Sequence, residues 1–355
     1  QIILVDYART WGTNAITIDS NGLNFQGEDD TYIVDYDTSG QSLNLVYSGA
    51  TIGWTPSSDI VNALEPVAPP TQKAIFGYGS PNGGGTLLSM TNLVTSSGVV
   101  GTDVTGVGTD RWHVSATGYG VDKAIFAFGN DGSSQISLSN LVSNSGVVAT
   151  DTTGVGTARR SLAATRYGVG LAIFAYGNTG SLTNLSNKVS SSGVVAADTT
   201  GVGTSREYPA AASYGGDKGI YGYGNSGSKV NMTNLVTNAG VIGTDVSGVG
   251  SARDELGAAD YGEDKAIFAY GTTGSATNIK NLVSNAGVVA SDATGVGTAR
   301  QSLAAASYGG DKAIFAYGGT NVSNLVSNTG VVAADVTGVG TLRQYLGAAG
   351  YSISA

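Results

Sequence analysis

A seven-residue apolar phrase that ends in aromatic-glycine occurs six times along the chain. The copies are KAIFGYG at 73–79, KAIFAFG at 123–129, LAIFAYG at 171–177, KGIYGYG at 218–224, and KAIFAYG at 265–271 and 312–318. Successive copies start 50, 48, 47, 47 and 47 residues apart. A repeat at a fixed period of this length indicates an array of equivalent structural units.

Each copy is followed by the same order of short segments. An Asn-Leu-Val-like segment comes first, then Gly-Val-Val or Gly-Val-Ile, then Asp-x-Thr/Ser-Gly-Val-Gly, and then an arginine. We predict four short strands in each unit: the segment after the arginine, the apolar phrase, the Asn-Leu-Val segment and the Gly-Val-Val segment. The apolar phrase is hydrophobic on both faces, so its strand needs cover on both sides of the sheet.

Repeats of this length with four strands and glycine-rich turns are typical of a β-propeller, in which neighbouring blades cover each other's faces. Helical repeats would show 3.6-residue periodicity, and β-solenoids would use shorter coils. The first unit begins at Lys73 without an arginine strand, whereas the chain ends with a surplus one at 343–351. We therefore predict an all-β fold with a six-bladed β-propeller at 73–355, whose C-terminal strand pairs with the phrase at 73–79 and closes the ring.

Over residues 73–351 the repeat resembles the kelch repeat. The shared features are an arginine before a small-residue strand, a short turn, an apolar strand ending in aromatic-glycine, and an Asn-Leu-Val-like strand. The kelch diglycine is replaced by aromatic-glycine in five units, with Gly318-Gly319 as the exception, and the usual fourth-strand tryptophan is missing. The resemblance implies kelch-like blade geometry, and it does not imply roles in actin binding or ubiquitin ligation.

Charge is distributed unevenly along the chain, whose net charge is −9. Residues 1–66 contain nine acidic residues and one basic residue, Arg9, whereas the remainder contains 17 acidic and 16 basic residues. The sequence EPVAPP at 65–70 predicts a stiff, extended linker between the two regions. We therefore expect an acidic β-rich stem at 1–62, a proline-rich linker at 63–72 and the propeller at 73–355.

The N-terminal segment is predicted to form short strands and turns. The predicted strands are IILVDYA, AITID, LNFQG, TYIVDY and SLNLVYS, with a tight hairpin turn at Asn21-Gly22. The phrases WGTNAITIDSNGLNFQG and GQSLNLVYSGATIGW resemble modules of bacteriophage virion fibres, where β-segments of three chains interlock. The resemblance implies an appendage on the virion surface, with a homotrimeric stem at 1–62, other virion proteins as partners and propellers as heads. Because the sequence begins at Gln1, we expect processing or a preceding segment.

Composition argues against several function classes. With no cysteine and one histidine, His113, the sequence offers no disulfide framework and no thiolate or multi-histidine metal site. It has no basic stripe and no apolar run of 18 residues, so we expect neither nucleic-acid binding nor membrane insertion. The adjacent acids Asp254-Glu255, Glu263-Asp264 and Glu28-Asp29-Asp30 are interpreted as solvated turns. Without a nucleophile elbow or a calcium loop, we expect no catalytic residue, cofactor or metal.

One arginine and one aspartate recur in every unit. We interpret each pair as a structural contact that fixes the loop between blades, because a site needed once would not be built six times. A second aspartate precedes the lysine of the apolar phrase in four units and is interpreted as a turn cap. The residues are Arg111, Arg159, Arg206, Arg253, Arg300 and Arg343, with Asp103, Asp151, Asp198, Asp245, Asp292 and Asp335, and the caps Asp122, Asp217, Asp264 and Asp311.

The two positions after each repeat arginine differ between units while the surrounding frame stays the same. Variable side chains on a repeated frame are where binding specificity can lie, and flat aromatic rings stack on sugars or anchor protein interfaces. Drift at exposed loop positions is the alternative explanation. We expect these positions on an exposed rim, and the candidate binding residues are Trp112, His113, Arg160, Tyr208 and Tyr345.

These features favour a non-enzymatic virion fibre or appendage protein that displays a propeller for attachment to a host-surface glycan or protein, or for particle decoration. Two alternatives come from other classes. One is a secreted carbohydrate-binding propeller with no viral connection, which would exist as free monomers. The other is a polysaccharide-degrading enzyme, which would act on envelope glycans.

The assembly prediction concerns the stem. Sixty residues with few large apolar side chains bury little surface alone, so we expect them to be stable only between chains. Light scattering of the full-length protein should give three times the chain mass. A monomeric full-length protein would remove the stem and most of the support for a fibre.

Overall fold

The computed structural model describes residues 1–27, 34–57 and 71–354. Contacts divide the chain into two units, Gln1–Val67 and Ala68–Ala355. The described residues form strands, bridges and turns and contain no helix, so the fold is all-β, as predicted. It follows that, over the same residues, no helix is long and apolar enough to cross a lipid bilayer. Residues 63–70 of the predicted linker and the acidic triplet at 28–30 lie outside the described residues.

The described residues of the N-terminal unit form five short strands. They are β1 (Ile2–Val5), β2 (Ile16–Ile18), β3 (Val34–Tyr36), β4 (Ser42–Tyr47) and β5 (Trp54–Pro56). Three of them form a sheet in the order β1-β4-β5, and β2 pairs with β3. In the described part of this unit the core consists of the buried apolar side chains Phe25, Val34, Tyr36, Leu43 and Leu45, with partly buried neighbours. This is a small core for a unit of this length.

The turn at Asn21-Gly22 is present, but it does not form a hairpin. Both residues have positive φ, 54° and 78°, as a tight hairpin turn would require. The strand before the turn pairs with β3, and the segment after it makes only an isolated parallel bridge between Phe25 and Trp54. The predicted hairpin and the LNFQG strand are therefore wrong, because Phe25 packs into the core with Trp54 instead of pairing beside β2.

The C-terminal unit contains six antiparallel sheets of three strands each. In chain order the strands are β6 (Lys73–Gly77), β7 (Thr91–Val94), β8 (Ser115–Tyr119), β9 (Lys123–Ala127), β10 (Ser139–Val142), β11 (Ala163–Tyr167), β12 (Leu171–Ala175), β13 (Ser186–Val189), β14 (Ala210–Tyr214), β15 (Lys218–Gly222), β16 (Thr233–Val236), β17 (Gly257–Tyr261), β18 (Lys265–Ala269), β19 (Lys280–Val283), β20 (Ala304–Tyr308), β21 (Lys312–Ala316), β22 (Ser323–Val326) and β23 (Gly347–Tyr351). Sheet 1 has the order β23-β6-β7, and sheets 2 to 6 each use three consecutive strands, from β8-β9-β10 to β20-β21-β22. The central strand of every sheet is the apolar phrase of the repeat.

The last strand of the chain completes the first sheet. β23 pairs antiparallel with β6, with Gly347 opposite Gly77 and Tyr351 opposite Lys73. The predicted pairing of the C-terminal strand with the first apolar phrase is therefore confirmed. A polar contact also joins the segment after β7 to the segment before β23. Asp103 accepts hydrogen bonds from the Thr341 N–H at 3.0 Å and from the Thr341 hydroxyl at 2.7 Å.

The central strands are buried on both faces by neighbouring sheets. Residues 124–127 of β9 are completely buried. Because successive side chains of a strand point to opposite faces, Phe126 shares a cluster with Ile75 of sheet 1, whereas Ile125 shares one with Phe174 of sheet 3. Six such clusters occur, each between two consecutive sheets, and one of them joins sheet 6 to sheet 1.

The predicted fourth strand of each unit is not a strand in the structure. The Gly-Val-Val segment makes only isolated bridges with the third strand, such as Val142 to Val148 and Ser139 to Thr152. The register shifts by one residue between these bridges, as in a β-bulge. The side chain of Asn140 also donates a hydrogen bond to the Ala149 carbonyl at 3.0 Å and so takes the place of a ladder donor. The prediction of four-stranded sheets is therefore wrong: each has three strands and a bridged outer segment.

Deleting residues 343–355 should destroy cooperative unfolding of the C-terminal unit. The deletion removes β23 and the buried Arg343 and exposes the edge of β6, so we expect aggregation or a broadened melt. Circular dichroism melts with size-exclusion chromatography measure both effects. Deletion of 353–355 alone, beyond the strand, is the matched control and should melt like the full chain. A 343–355 deletion that also melts like the full chain would contradict the role of β23.

Candidate binding site

A repeated turn precedes the first strand of every sheet and carries the variable residues. The second residue after each repeat arginine has a φ between 53° and 57°, although none of the six is glycine. These residues are His113, Ser161, Tyr208, Glu255, Ser302 and Tyr345. Side chains other than glycine rarely occupy this left-handed region, so the same strained turn in six units indicates that the frame imposes it.

The six residues are linked to one another through their backbones. In five of them the N–H donates to the carbonyl of the counterpart in the preceding sheet, as from His113 to Tyr345 at 2.8 Å and from Ser161 to His113 at 3.2 Å. Five of the six links are formed among these described residues, and the link between Glu255 and Tyr208 is open. Their side chains line one cavity of about 80 Å³. We call these six residues the mouth.

Aromatic rings form one side of the mouth. The ring centroid of His113 lies 4.1 Å from that of Tyr345 and 5.5 Å from that of Tyr208. Trp112 packs on the same group, with its centroid 4.2 Å from His113, and its indole N–H donates to the side-chain oxygen of Asn130 at 3.2 Å. Rings of this kind offer flat apolar faces with polar edges, which suits stacking on a sugar.

Glu255 lies three positions away from His113 around the mouth. Its carboxylate accepts hydrogen bonds from the Ser302 hydroxyl, from Gln301 Nε2 at 2.9 Å and from the Tyr345 hydroxyl at 3.2 Å. All three donors are neutral, and the ion pairs found in the described residues do not include Glu255. The mouth therefore contains a carboxylate without a cationic partner.

The interpretation of Asp254-Glu255 as a solvated turn is wrong. Asp254 is only 4% exposed and forms an ion pair with Lys229, while Glu255 is half-buried in the mouth. The two side chains point different ways because the left-handed turn directs the second residue toward the cavity. Across the described residues, no group of three acidic or histidine side chains is placed to hold a metal ion.

Burial sets the charge of the aromatic side. Desolvation, together with the positive charge of Arg160, lowers the pKa of His113 to about 3. The imidazole is therefore neutral at pH 7, and its Nδ1 lies 3.2 Å from the Ser161 hydroxyl. Burial raises the pKa of Tyr208 to about 12 and also raises the pKa of Tyr345. All three rings are uncharged at neutral pH.

The candidate binding residues divide between the mouth and its surroundings. His113, Tyr208 and Tyr345 line the cavity, Trp112 packs on His113, and Arg160 does not line the cavity. The first residue after each arginine instead pairs with the loop that follows the aromatic-glycine in most units, as Arg160 does with Asn178. The expected rim of exposed loops is therefore wrong, because the second residue of each pair turns inward.

Sequence reasoning missed three residues of the mouth: Ser161, Glu255 and Ser302. Each holds the same place after its arginine as His113, Tyr208 and Tyr345. Candidate binding residues were chosen mainly for their aromatic rings, so these three were left out. Their shared position, two residues after the repeat arginine, would have identified them. The useful signal was the place in the repeat and not the residue type.

The repeat arginines hold the turn that carries the mouth. Arg111 is completely buried, and its Nη2 donates to Asn140 Oδ1 at 2.6 Å. Its guanidinium lies 4.1 Å from the ring centroid of Tyr78 in the preceding sheet and 3.7 Å from Asp151. Asp151 accepts further hydrogen bonds from the Thr109 hydroxyl at 2.7 Å and from Asn140 at 2.9 Å. We call this set of contacts the arginine clip, and it joins each turn to its own sheet and to the preceding one.

The arginine clip recurs around the unit with small variations. Every repeat arginine lies over an aromatic ring of the preceding sheet. Five form an ion pair with their repeat aspartate within 4.0 Å, and Arg343 reaches Asp103 through Asn92. Burial lowers the pKa of Arg159 to about 10, which leaves it charged at pH 7. Partial burial alone would raise the pKa of Asp151, but hydrogen bonds and Arg111 outweigh it and lower that pKa.

Two further cavities continue from the mouth along the first strands. Their volumes are about 120 and 60 Å³, and alanine and glycine line much of their walls. Arg166 and Asp260 form an ion pair at 2.9 Å at the far end. The Thr71 hydroxyl lies 3.4 Å from that of Ser307, which also lines the far cavity. Thr71 therefore lies at the end of these cavities that is remote from the mouth.

Comparison with known proteins finds similarity to solved structures. No family model matches the chain, and no curated protein matches it. A solved structure of YjhT is similar with a TM-score of 0.53 and 11% sequence identity, over 75% of this chain and 97% of that chain. At this identity the similarity concerns the fold alone, so the resemblances to kelch repeats and phage fibres stay predictions.

Replacing His113 with Asn should make stability less sensitive to acid. The unfolded histidine binds a proton below pH 6.5, whereas the folded one does so only near pH 3. The unfolded state therefore binds more protons than the folded state as pH falls from 6.5 to about 3. Over this range the free energy of unfolding of the wild type should fall by on the order of a few kcal/mol, a loss that the variant does not suffer. Asn also tolerates positive φ. Thermal melts from pH 8 to pH 3 measure the difference, and parallel curves for the two proteins would contradict a buried neutral imidazole.

Proposed function

We propose that the chain is a non-enzymatic attachment protein whose C-terminal unit is a six-bladed β-propeller that binds a host-surface glycan at the mouth. The observation that carries this proposal is the convergence of six variable residues, one from each sheet, on a single cavity. A repeated frame that brings its variable positions together resembles the way binding loops are placed on a rigid scaffold. The aromatic rings and hydroxyls of the mouth match the apolar faces and polar edges of sugars.

Three contacts support a closed propeller. β23 pairs with β6 within sheet 1, and a buried cluster lies between sheet 6 and sheet 1. Arg343 adds a polar link between the same two sheets, since its guanidinium lies 4.7 Å from the ring centroid of Tyr317. With these contacts each blade is covered on both faces, as a propeller of this size requires.

The acidic groups of the mouth favour binding over hydrolysis. Among the described residues, Glu255 is the only carboxylate that lines the cavity. Glycosidases generally use two carboxyl groups, one on each side of the scissile bond. Binding needs only stacking surfaces and a few placed donors and acceptors, which the mouth supplies.

We further propose that the N-terminal unit trimerises and fixes the protein to a virion as an appendage. Its small core leaves large apolar side chains in solvent, and Ile3, Val5 and Tyr7 are 64%, 59% and 95% exposed. Burial of these side chains between chains would stabilise a trimer.

A trimer would carry three C-terminal units, each with its own mouth. A mouth of about 80 Å³ holds only part of a glycan, so the affinity of each unit is modest. Several units bound at once provide firm attachment.

Glycan-array binding of the full-length protein tests this proposal. Tyr208→Asn removes an aromatic ring from the mouth and keeps a residue that tolerates the left-handed turn, so binding should weaken about tenfold or more. Val147→Ala, at an exposed position of an outer segment, is the control and should bind like the wild type. Circular dichroism verifies that both variants fold. Absence of any glycan binding, or equal binding by both variants, would overturn the proposal.

A further inference from the structure

The negative charge of Glu255 in the mouth indicates which chemical group of a glycan would bind there. We propose, building on the glycan-binding function above, that the mouth binds a free amino group of an amino sugar, with Glu255 as its counter-ion and the aromatic side as its wall. A protonated amine is attracted both to a carboxylate and to the faces of aromatic rings. A neutral or N-acetylated sugar lacks the positive charge that strengthens both contacts.

The first argument is the uncompensated carboxylate. Glu255 is half-buried and accepts hydrogen bonds only from neutral groups, the side chains of Ser302, Gln301 and Tyr345. The adjacent Asp254, by contrast, is buried with Lys229 beside it as a cation. A half-buried charge without a cationic partner is costly, and a ligand that brings the cation recovers that cost.

The second argument is the state of the other groups around the cavity. His113 carries no charge at neutral pH, because burial and Arg160 lower its pKa to about 3. Arg160 itself does not line the cavity. It directly precedes Ser161, the mouth residue before sheet 3, whereas Glu255 precedes sheet 5. The charges of Arg160 and Glu207 act on Tyr208 in opposite directions. The remaining net charge that faces a ligand is that of Glu255.

The third argument is the break in the backbone links between Tyr208 and Glu255. The described residues provide no hydrogen-bond partner for the Tyr208 carbonyl or for the Glu255 N–H, whereas the corresponding groups of the other mouth residues are paired. The carbonyl is a second acceptor for an ammonium group, which has three donors. The N–H is a donor for a hydroxyl on the neighbouring carbon. An amine beside a hydroxyl is the arrangement found in a 2-amino-2-deoxy sugar.

Isothermal titration calorimetry of the full-length protein with D-glucosamine, D-glucose and N-acetyl-D-glucosamine at pH 7 and low salt tests the inference. The wild type should bind glucosamine about tenfold more tightly than the two neutral sugars. Glu255→Gln keeps the shape of the side chain and should abolish this preference. Glu263→Gln, at an exposed carboxylate that does not line the cavity, is the control and should keep it.

The outcomes separate this inference from the proposed function. Equal affinity of the wild type for glucosamine and glucose would overturn the amine site, and this comparison needs no variant. A preference for glucosamine that survives in Glu255→Gln would overturn it as well. If the amine preference is absent while Tyr208→Asn still weakens binding on a glycan array, the glycan-binding function stands without it. If neither the three sugars nor any array glycan binds, both proposals fail.

Discussion

The buried guanidinium of each repeat arginine is the contact on which the rest of the C-terminal unit depends. Moving a charged group out of water costs several kcal/mol even after relaxation. Arg111 offsets that cost with an aromatic face from the preceding sheet, the amide of Asn140 and the carboxylate of Asp151. Loss of any one partner would leave a buried charge partly unsatisfied. The turn is therefore held in one conformation, and two neighbouring sheets are held to it.

The arginine clip and the apolar clusters do different work. The clusters bury both faces of each central strand and supply most of the stabilisation, but hydrophobic burial is not directional. The arginine clip adds direction, because hydrogen bonds and a stacked guanidinium define angles as well as distances. It fixes the turn that follows, and the residue two places after the arginine takes a left-handed conformation in all six units. Strain at those positions is offset by the surrounding frame.

The sequence predicts those features that depend on local pattern. The period of the repeat, the central strands and the pairing of β23 with β6 all follow from strands that are apolar on both faces and from one missing and one surplus segment. The four-stranded sheets fail because the side chain of Asn140 takes the place of a backbone donor. The hairpin at Asn21-Gly22 fails because a distant partner competes for the strand before it. The sequence identified only three of the six mouth residues. His, Ser, Tyr and Glu are not residue types that indicate a left-handed turn, so the turn that brings the other three into the cavity could not be predicted.

Repetition and uniqueness are not in conflict in this molecule. Six copies of one residue position would make six equivalent sites if they lay on the outside, but here each copy contributes one wall to a single cavity. The composition of that cavity is then free to be asymmetric, since the arginine clip fixes the backbone whatever side chain follows. Six large side chains would fill the centre, and the small Ser161 and Ser302 leave room beside the bulkier His113, Tyr208 and Tyr345. The cavity exists because the frame is uniform and its variable residues are not.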